Sequence, residues 1–135
     1  MPFKSIADLL GAQAKVGGVP TYELADSGRN DLETMLQCCD AEEVNYLQQP
    51  FGDRLAPAPA YFLRVAILSR KAHDYAGEIA ICNRWFALAK DYHSQPSVKA
   101  GRGCRINRGP GHDDMKKRLP KAKELLRKQK AAKKA

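Results

Sequence analysis

The sequence lacks any long apolar run, and no stretch approaches the roughly 18 residues that a membrane-spanning helix needs. Its first apolar stretch, at residues 6–10, is interrupted by Asp8 and is too short for the apolar part of a secretory leader. The 4 cysteines include no C-x-x-C pair, and Cys38 and Cys39 are adjacent, a spacing that suits a disulfide framework poorly. We therefore predict no membrane partner and a reducing, cytoplasmic location with free thiols.

Motifs of catalysis and of metal or nucleotide binding are missing as well. The glycines of residues 101–111 form no G-x-x-x-x-G-K-[ST] string, so nucleotide hydrolysis is not indicated. Cys104 and His112 are 8 residues apart, but zinc would need further ligands, and the adjacent Cys38 and Cys39 fit structural zinc spacing badly. An enzyme that uses Cys104 or His112 is the least supported hypothesis. We predict a non-enzymatic protein with no catalytic residue, no metal and no cofactor.

Acidic residues are scarce in the last quarter of the chain. Residues 99–135 contain 14 Lys or Arg against Asp113, Asp114 and Glu124, a net charge of +11, whereas residues 1–98 have a net charge of −3. An anionic surface is the simplest neutraliser of clustered cations, so this asymmetry is informative about partners. We predict a helical body at residues 1–98 and a basic segment at 99–135, which is either part of the same domain or a flexible arm.

Aromatic residues are absent after Tyr92, so the basic segment has no platform on which single-stranded bases could stack. Its arginines and lysines are nevertheless suited to phosphate contacts along an RNA or DNA backbone. The candidate anion-binding residues are Arg102, Arg105, Arg108, Lys116, Lys117, Arg118, Lys121, Lys123, Arg127 and Lys128. The alternative is a solvated helix and tail that only keep the protein in solution.

Apolar residues recur at helical spacing along the chain, which predicts an all-α fold, a small bundle of short helices. Capping patterns predict three helices before residue 50, starting at Ser5 (through about Lys15), at Asn30 and, separately, at Asp40. Residues 21–24 are predicted to be briefly extended. The glycine-rich residues 97–111 are predicted to form a loop.

The strongest helix predictions form a hairpin at residues 60–92. Its helices run from Ala60 to about Ala72 and from Tyr75 to Tyr92. Gly77 costs the second helix about 1 kcal/mol relative to Ala, and we attribute it to close approach of the preceding helix. A proline at 120 predicts a short turn before it and a helix from there to about Lys130. This basic helix is predicted to dock through Met115, Leu119, Ala122 and Leu126.

Residues 60–93 resemble a single tetratricopeptide repeat, the helical hairpin of a family of protein-interaction modules. The matching positions are the bulky Phe62, the aliphatic Val65, the small Ala66, the turn His73-Asp74-Tyr75, and Ile79 and Leu88 in the second helix. The resemblance implies a surface for a protein or peptide and no chemistry. Ser69, Glu78 and Trp85 depart from the repeat pattern, and the large Trp85 stands at a small-residue position.

The resemblance covers about a quarter of the chain, without a second copy, whereas repeat arrays normally need about three. Flanking helices or a partner must therefore cover the hairpin, which the alternative interpretation treats as an ordinary helix pair. We predict an adaptor module that binds a protein or peptide through Trp85 and Tyr92 and has a cationic C-terminal arm. The core is the alternative location for those two aromatics. The alternative function is a nucleic-acid-associated accessory protein that contacts the phosphate backbone through residues 99–134.

Overall fold

The computed structural model describes residues 14–134, which form an all-α bundle with one very small sheet. The strands β1 (Lys15–Val16) and β2 (Val19–Pro20) pair antiparallel. The helices are α1 (Thr21–Gly28), α2 (Leu32–Gln48), α3 (Ala60–Lys71), α4 (Tyr75–His93), α5 (Pro96–Lys99) and α6 (Pro110–Lys134). The all-α prediction is confirmed. The helix predicted to start at Ser5 falls almost wholly outside the described residues; its expected last residue, Lys15, lies in β1.

The hairpin of α3 and α4 forms the centre of the bundle. Helix α2 packs against α3, and α6 packs against both α4 and α3. The rings of Phe62 and Trp85 lie 5.6 Å apart between centroids, and both side chains are fully buried. Met35 from α2 and Met115 from α6 enter the same apolar cluster, so all four long helices contribute to one core.

Local capping chemistry sets the hairpin turn. His73 adopts a left-handed backbone with φ 59°, which ends α3, and the Asp74 carboxylate accepts a hydrogen bond of 2.9 Å from the Gly77 amide to start α4. A Cβ atom on Gly77 would collide with that carboxylate. Our attribution of Gly77 to an approaching helix is therefore wrong, because the residue leaves room for its own helix cap.

Helices α1 and α2 correct two sequence-based expectations. Residues 21–24 are helical, and the buried Thr21 hydroxyl donates a 3.1 Å hydrogen bond to Glu42 of α2. The chain does not start a new helix at Asp40, because α2 continues through it. Asp40 and Glu43, which looked like a helix start, instead bind Arg84 of α4.

The C-terminal helix corrects a third expectation, since α6 is continuous through Pro120 and begins at Pro110. A proline inside a helix removes a backbone donor and costs about 3 kcal/mol. Met115 before the proline and Ala122 after it are both fully buried. Packing against the body therefore stabilises the helix on both sides of Pro120. Leu119 and Leu126 are half-buried, so the predicted docking residues do lie on the packed side.

Gln95 joins the loop before α3 to the end of α4. Its side chain is fully buried and uses both ends: Oε1 accepts from the Gly52 and Arg54 amides at 3.0 and 2.8 Å. Its Nε2 donates to the carbonyls of Arg54 and Tyr92 at 3.0 and 3.3 Å. The Gln95 side-chain amide thus makes four hydrogen bonds to backbone groups, three of them in the loop of residues 49–59. These bonds hold the loop against the end of α4.

Within residues 14–134, no helix combines the length and apolar character needed to cross a bilayer.

Candidate nucleic-acid interface

The arginine-rich loop between α5 and α6 lies on the surface. Arg102, Arg105 and Arg108 are all exposed. A hydrogen bond joins the loop to α4: the Tyr92 hydroxyl donates to the carbonyl of Cys104 at 2.9 Å. Burial, and then the neighbouring Cys104, raises the pKa of Tyr92 to about 12, so this hydroxyl stays protonated and keeps donating. The loop therefore exposes its three guanidinium groups while this hydrogen bond holds its backbone at Cys104 against α4.

One side of α6 presents a row of exposed bases that we call the α6 basic row: Lys116, Lys123, Arg127, Lys130 and Lys134. Their spacing of seven, four, three and four residues places them on one face of the helix. The row extends about 27 Å at the rise of an α-helix. Among residues 14–134, no ion pair involves any of its members.

A second group of bases on α6 is partly neutralised. Lys128 and Lys121 approach the Glu124 carboxylate at 3.0 and 3.5 Å, and Lys117 lies on the same side of the helix one turn before Lys121. Hydrogen bonding from Lys128, together with the charge of Lys121, lowers the pKa of Glu124. Lys121 and Lys128 share this one negative charge, and together with Lys117 we call these three exposed lysines the paired group.

Arg118, which the sequence placed among the anion-binding residues, makes its ion pairs within the fold. Its Nη1 lies 3.1 Å from Oε2 of Glu78, a carboxylate that is fully buried. Arg70 of α3 binds the same carboxylate, with Nε at 2.9 Å and Nη2 at 2.8 Å from its oxygens. A buried charge needs such pairing, so Arg118 is committed to joining α6 to the hairpin.

Other carboxylates of the body are engaged by the body's own arginines. Arg84 lies 2.9 Å from Asp40 and 2.5 Å from Glu43. Arg54 lies 2.8 Å from Asp91, whose carboxylate also accepts from a tyrosine hydroxyl. These acids are therefore occupied by bases other than those of the α6 basic row.

The two aromatics predicted to bind a partner are core residues. Trp85 is 0% exposed and Tyr92 is 2% exposed. The large Trp85 fills the space between α3, α4 and α6, so it opens no groove. Their burial agrees with the alternative that places both rings in the core.

The indole N–H of Trp85, its single hydrogen-bond donor, has a partner within the fold. Its Nε1–H donates to Nδ1 of His112 at 3.0 Å, and the His112 ring packs edge-on against Phe86 with centroids 5.2 Å apart. Nδ1 must be unprotonated to accept this bond, so the neutral ring has its proton on Nε2. Burial lowers the pKa of His112; Asp113 opposes this shift and Lys116 adds to it.

We expect acid to break this contact. Because the pKa of His112 is lower folded than unfolded, the unfolded chain takes up the proton first as the pH falls below about 6.5. The free energy of unfolding should therefore decrease from that pH downward. Fluorescence of Trp85, the single tryptophan, reports the contact directly during a pH titration.

The control for this experiment is His112→Gln, since a glutamine carbonyl can accept from the indole and does not titrate. The acid change in Trp85 fluorescence should be lost in this variant. An unchanged acid response would show that His112 is not its origin.

Within residues 14–134, no group of three or more His, Cys, Asp or Glu side chains is placed to hold an ion. The four cysteines are free, and only Cys104 is exposed. Burial raises the pKa of the Cys39 thiol strongly and that of Cys82 to about 11, which keeps both as inert core thiols.

Comparison of the chain with models of protein families, with curated proteins and with solved structures found no match. The likeness of residues 60–93 to a tetratricopeptide repeat stays a prediction, and what the structure gives is the helical hairpin itself.

Sequence reasoning missed two members of the α6 basic row, Lys130 and Lys134. Their distances of 14 and 18 residues from Lys116 would have revealed them had the helix been known to continue through Pro120. The role of Glu78 carried no local signal, because its partners are 8 and 40 residues away.

Proposed function

We propose that this protein binds the phosphate backbone of nucleic acid through the α6 basic row and the arginine loop of residues 102–108. The observation that carries the proposal is that, within residues 14–134, the row is exposed and makes no ion pair although the body has carboxylates. Four of those carboxylates, those of Asp40, Glu43, Glu78 and Asp91, are held by Arg54, Arg70, Arg84 and Arg118. An external polyanion is therefore the natural partner for the remaining positive charge.

Duplex nucleic acid fits this surface better than a single strand. The α6 basic row extends about 27 Å along one continuous helix, and it includes no aromatic ring for stacking. Backbone contacts alone support binding that tolerates any sequence and depends steeply on salt. The proposed role is thus that of an accessory protein without base-specific recognition.

The test is fluorescence anisotropy of a labelled duplex with the full chain at increasing salt. We expect the affinity to fall by about a thousandfold between 50 and 200 mM salt, as for a protein with several phosphate contacts. A single strand of the same length should bind no more tightly than the duplex. Absence of duplex binding at low salt would contradict the proposal.

An adaptor that binds a protein is the second candidate, and one observation favours it. Val44, Leu47 and Phe51 are 53%, 50% and 55% exposed. Leu47 and Phe51 both contact Arg54: its guanidinium lies 5.7 Å from the Phe51 ring centroid and donates to the Leu47 carbonyl at 3.4 Å. Such an apolar surface suits a protein partner.

The two candidates are separable with Leu47→Ser and Phe51→Ser. These changes should leave duplex affinity within about twofold, because the residues lie outside the cationic surface. Partners that survive nuclease treatment of a lysate and are lost with Phe51→Ser would favour the adaptor.

A further inference from the structure

A pocket of about 370 Å³ lies between the end of α4 and the start of α6. Its floor is apolar and includes Phe86. Its polar lining consists of Lys90, His93, Ser94, Asn107 and His112. The lining contains no carboxylate, which sets this pocket apart from the ion-paired surface of the body.

The hydrogen-bond acceptors at this end of α4 are already in use. The Ser94 amide donates to the Lys90 carbonyl at 3.1 Å, and its hydroxyl donates to the Asp91 carbonyl at 2.6 Å. The Tyr92 carbonyl accepts from Gln95. A ligand in the pocket would therefore find few backbone acceptors free.

Donors in the same place are not matched. Because Nδ1 of His112 accepts from Trp85, the neutral His112 ring has a proton on Nε2 to donate. Nε2 of His93 is buried and has no hydrogen-bond partner among the described residues, and it donates in the tautomer that has its proton there and in the cationic ring. A buried polar nitrogen without a partner calls for an explanation, and a bound acceptor would supply one.

Positive charge surrounds these donors. Lys90 lines the pocket, and Arg105 is close enough that it adds, with His112, to the lowering of the His93 pKa caused first by burial. His112 lies in the first turn of α6, where the helix dipole favours an anion. The acid that acts on His112 is Asp113, which raises its pKa but is exposed and outside the lining.

We propose that this pocket binds a phosphate group. Spare donors, cations and a lining free of carboxylates are what a tetrahedral dianion requires. Lys116 follows His112 by one helical turn, so the pocket continues the α6 basic row. Where the phosphate belongs to a nucleic acid backbone, the inference rests on the proposed function; a small phosphate ester would supply the same group.

The test compares two variants that lose the same charge. Lys90→Gln with Arg105→Gln removes the cations of the pocket, and Lys71→Gln with Arg29→Gln removes an exposed Lys and Arg elsewhere. The histidine ring signals of the full chain are followed by NMR while inorganic phosphate is added at constant ionic strength. We expect saturable shifts of His93 and His112, weakened about tenfold in the pocket variant and within twofold of wild type in the control.

A duplex competition distinguishes the source of the phosphate. If inorganic phosphate at constant ionic strength displaces duplex from the wild type but no longer does so from the pocket variant, the pocket holds a backbone phosphate. If phosphate binds without displacing duplex, the pocket serves a small phosphate ester. Absence of saturable shifts, or equal weakening in both variants, overturns the inference and leaves the proposed function to be judged by the salt titration.

Discussion

Replacing Glu78 by glutamine is expected to lower the free energy of unfolding by about 3 kcal/mol. The carboxylate is fully buried and binds Arg70 and Arg118 together. Its loss leaves Arg70 without an anion and leaves Arg118 with only the more exposed Asp114, 3.3 Å from its Nε. The glutamine side chain also places an NH2 group against the guanidinium groups of Arg70 and Arg118, where donor faces donor. We place the effect at the lower end for a buried pair, because the arginine side chains keep 30% and 19% of their exposure. Urea denaturation followed by circular dichroism measures it.

The matched control is Glu43→Gln, which makes the same chemical change in a partly exposed pair with Arg84. This variant should cost less than about 1 kcal/mol. Equal destabilisation by the two variants would mean that Glu78 is not what joins α6 to the hairpin.

Neutralising part of the α6 basic row should weaken duplex binding about thirtyfold. The variant is Lys116→Gln, Lys123→Gln and Arg127→Gln, three exposed side chains without ion pairs among the described residues. Each is expected to lose one phosphate contact, and none takes part in the packing of α6. Anisotropy of a labelled duplex at fixed salt gives the affinity, and circular dichroism verifies the fold.

The paired group provides the control on the same helix: Lys117→Gln, Lys121→Gln and Lys128→Gln remove the same charge. Because these lysines lie on another side of α6, and two of them, Lys121 and Lys128, share Glu124, we expect a loss below about threefold. Similar losses in both variants would show that net charge, and no particular face, governs binding.

Much of the fold could be predicted from the sequence where local signals were strong. The hairpin helices were placed within about one residue of their observed ends, because apolar spacing and the His73-Asp74 turn agree. The continuity of α2 and α6 could not be predicted in this way. Asp40 and Pro120 both have the local sequence of a helix start. The observed helices continue through them because Asp40 pairs with Arg84 and because α6 is packed through the buried Met115.

The candidate site was predictable in charge but not in geometry. Composition alone located the cations after residue 98. It could not separate Arg118, which pairs with a carboxylate 40 residues earlier, from Arg127, which stays exposed. Trp85 looked like a possible contact residue because a large side chain stood at a small-residue position, and only the packing of α6 shows that it is core.

The salt dependence of duplex binding, measured for the wild type and for the Lys116, Lys123 and Arg127 variant, tests the backbone-binding proposal most directly. The slope of log K against log salt should become shallower by about 3 in the variant, since each lost contact with duplex DNA removes roughly 0.9. Parallel slopes for the two proteins would contradict binding through the α6 basic row.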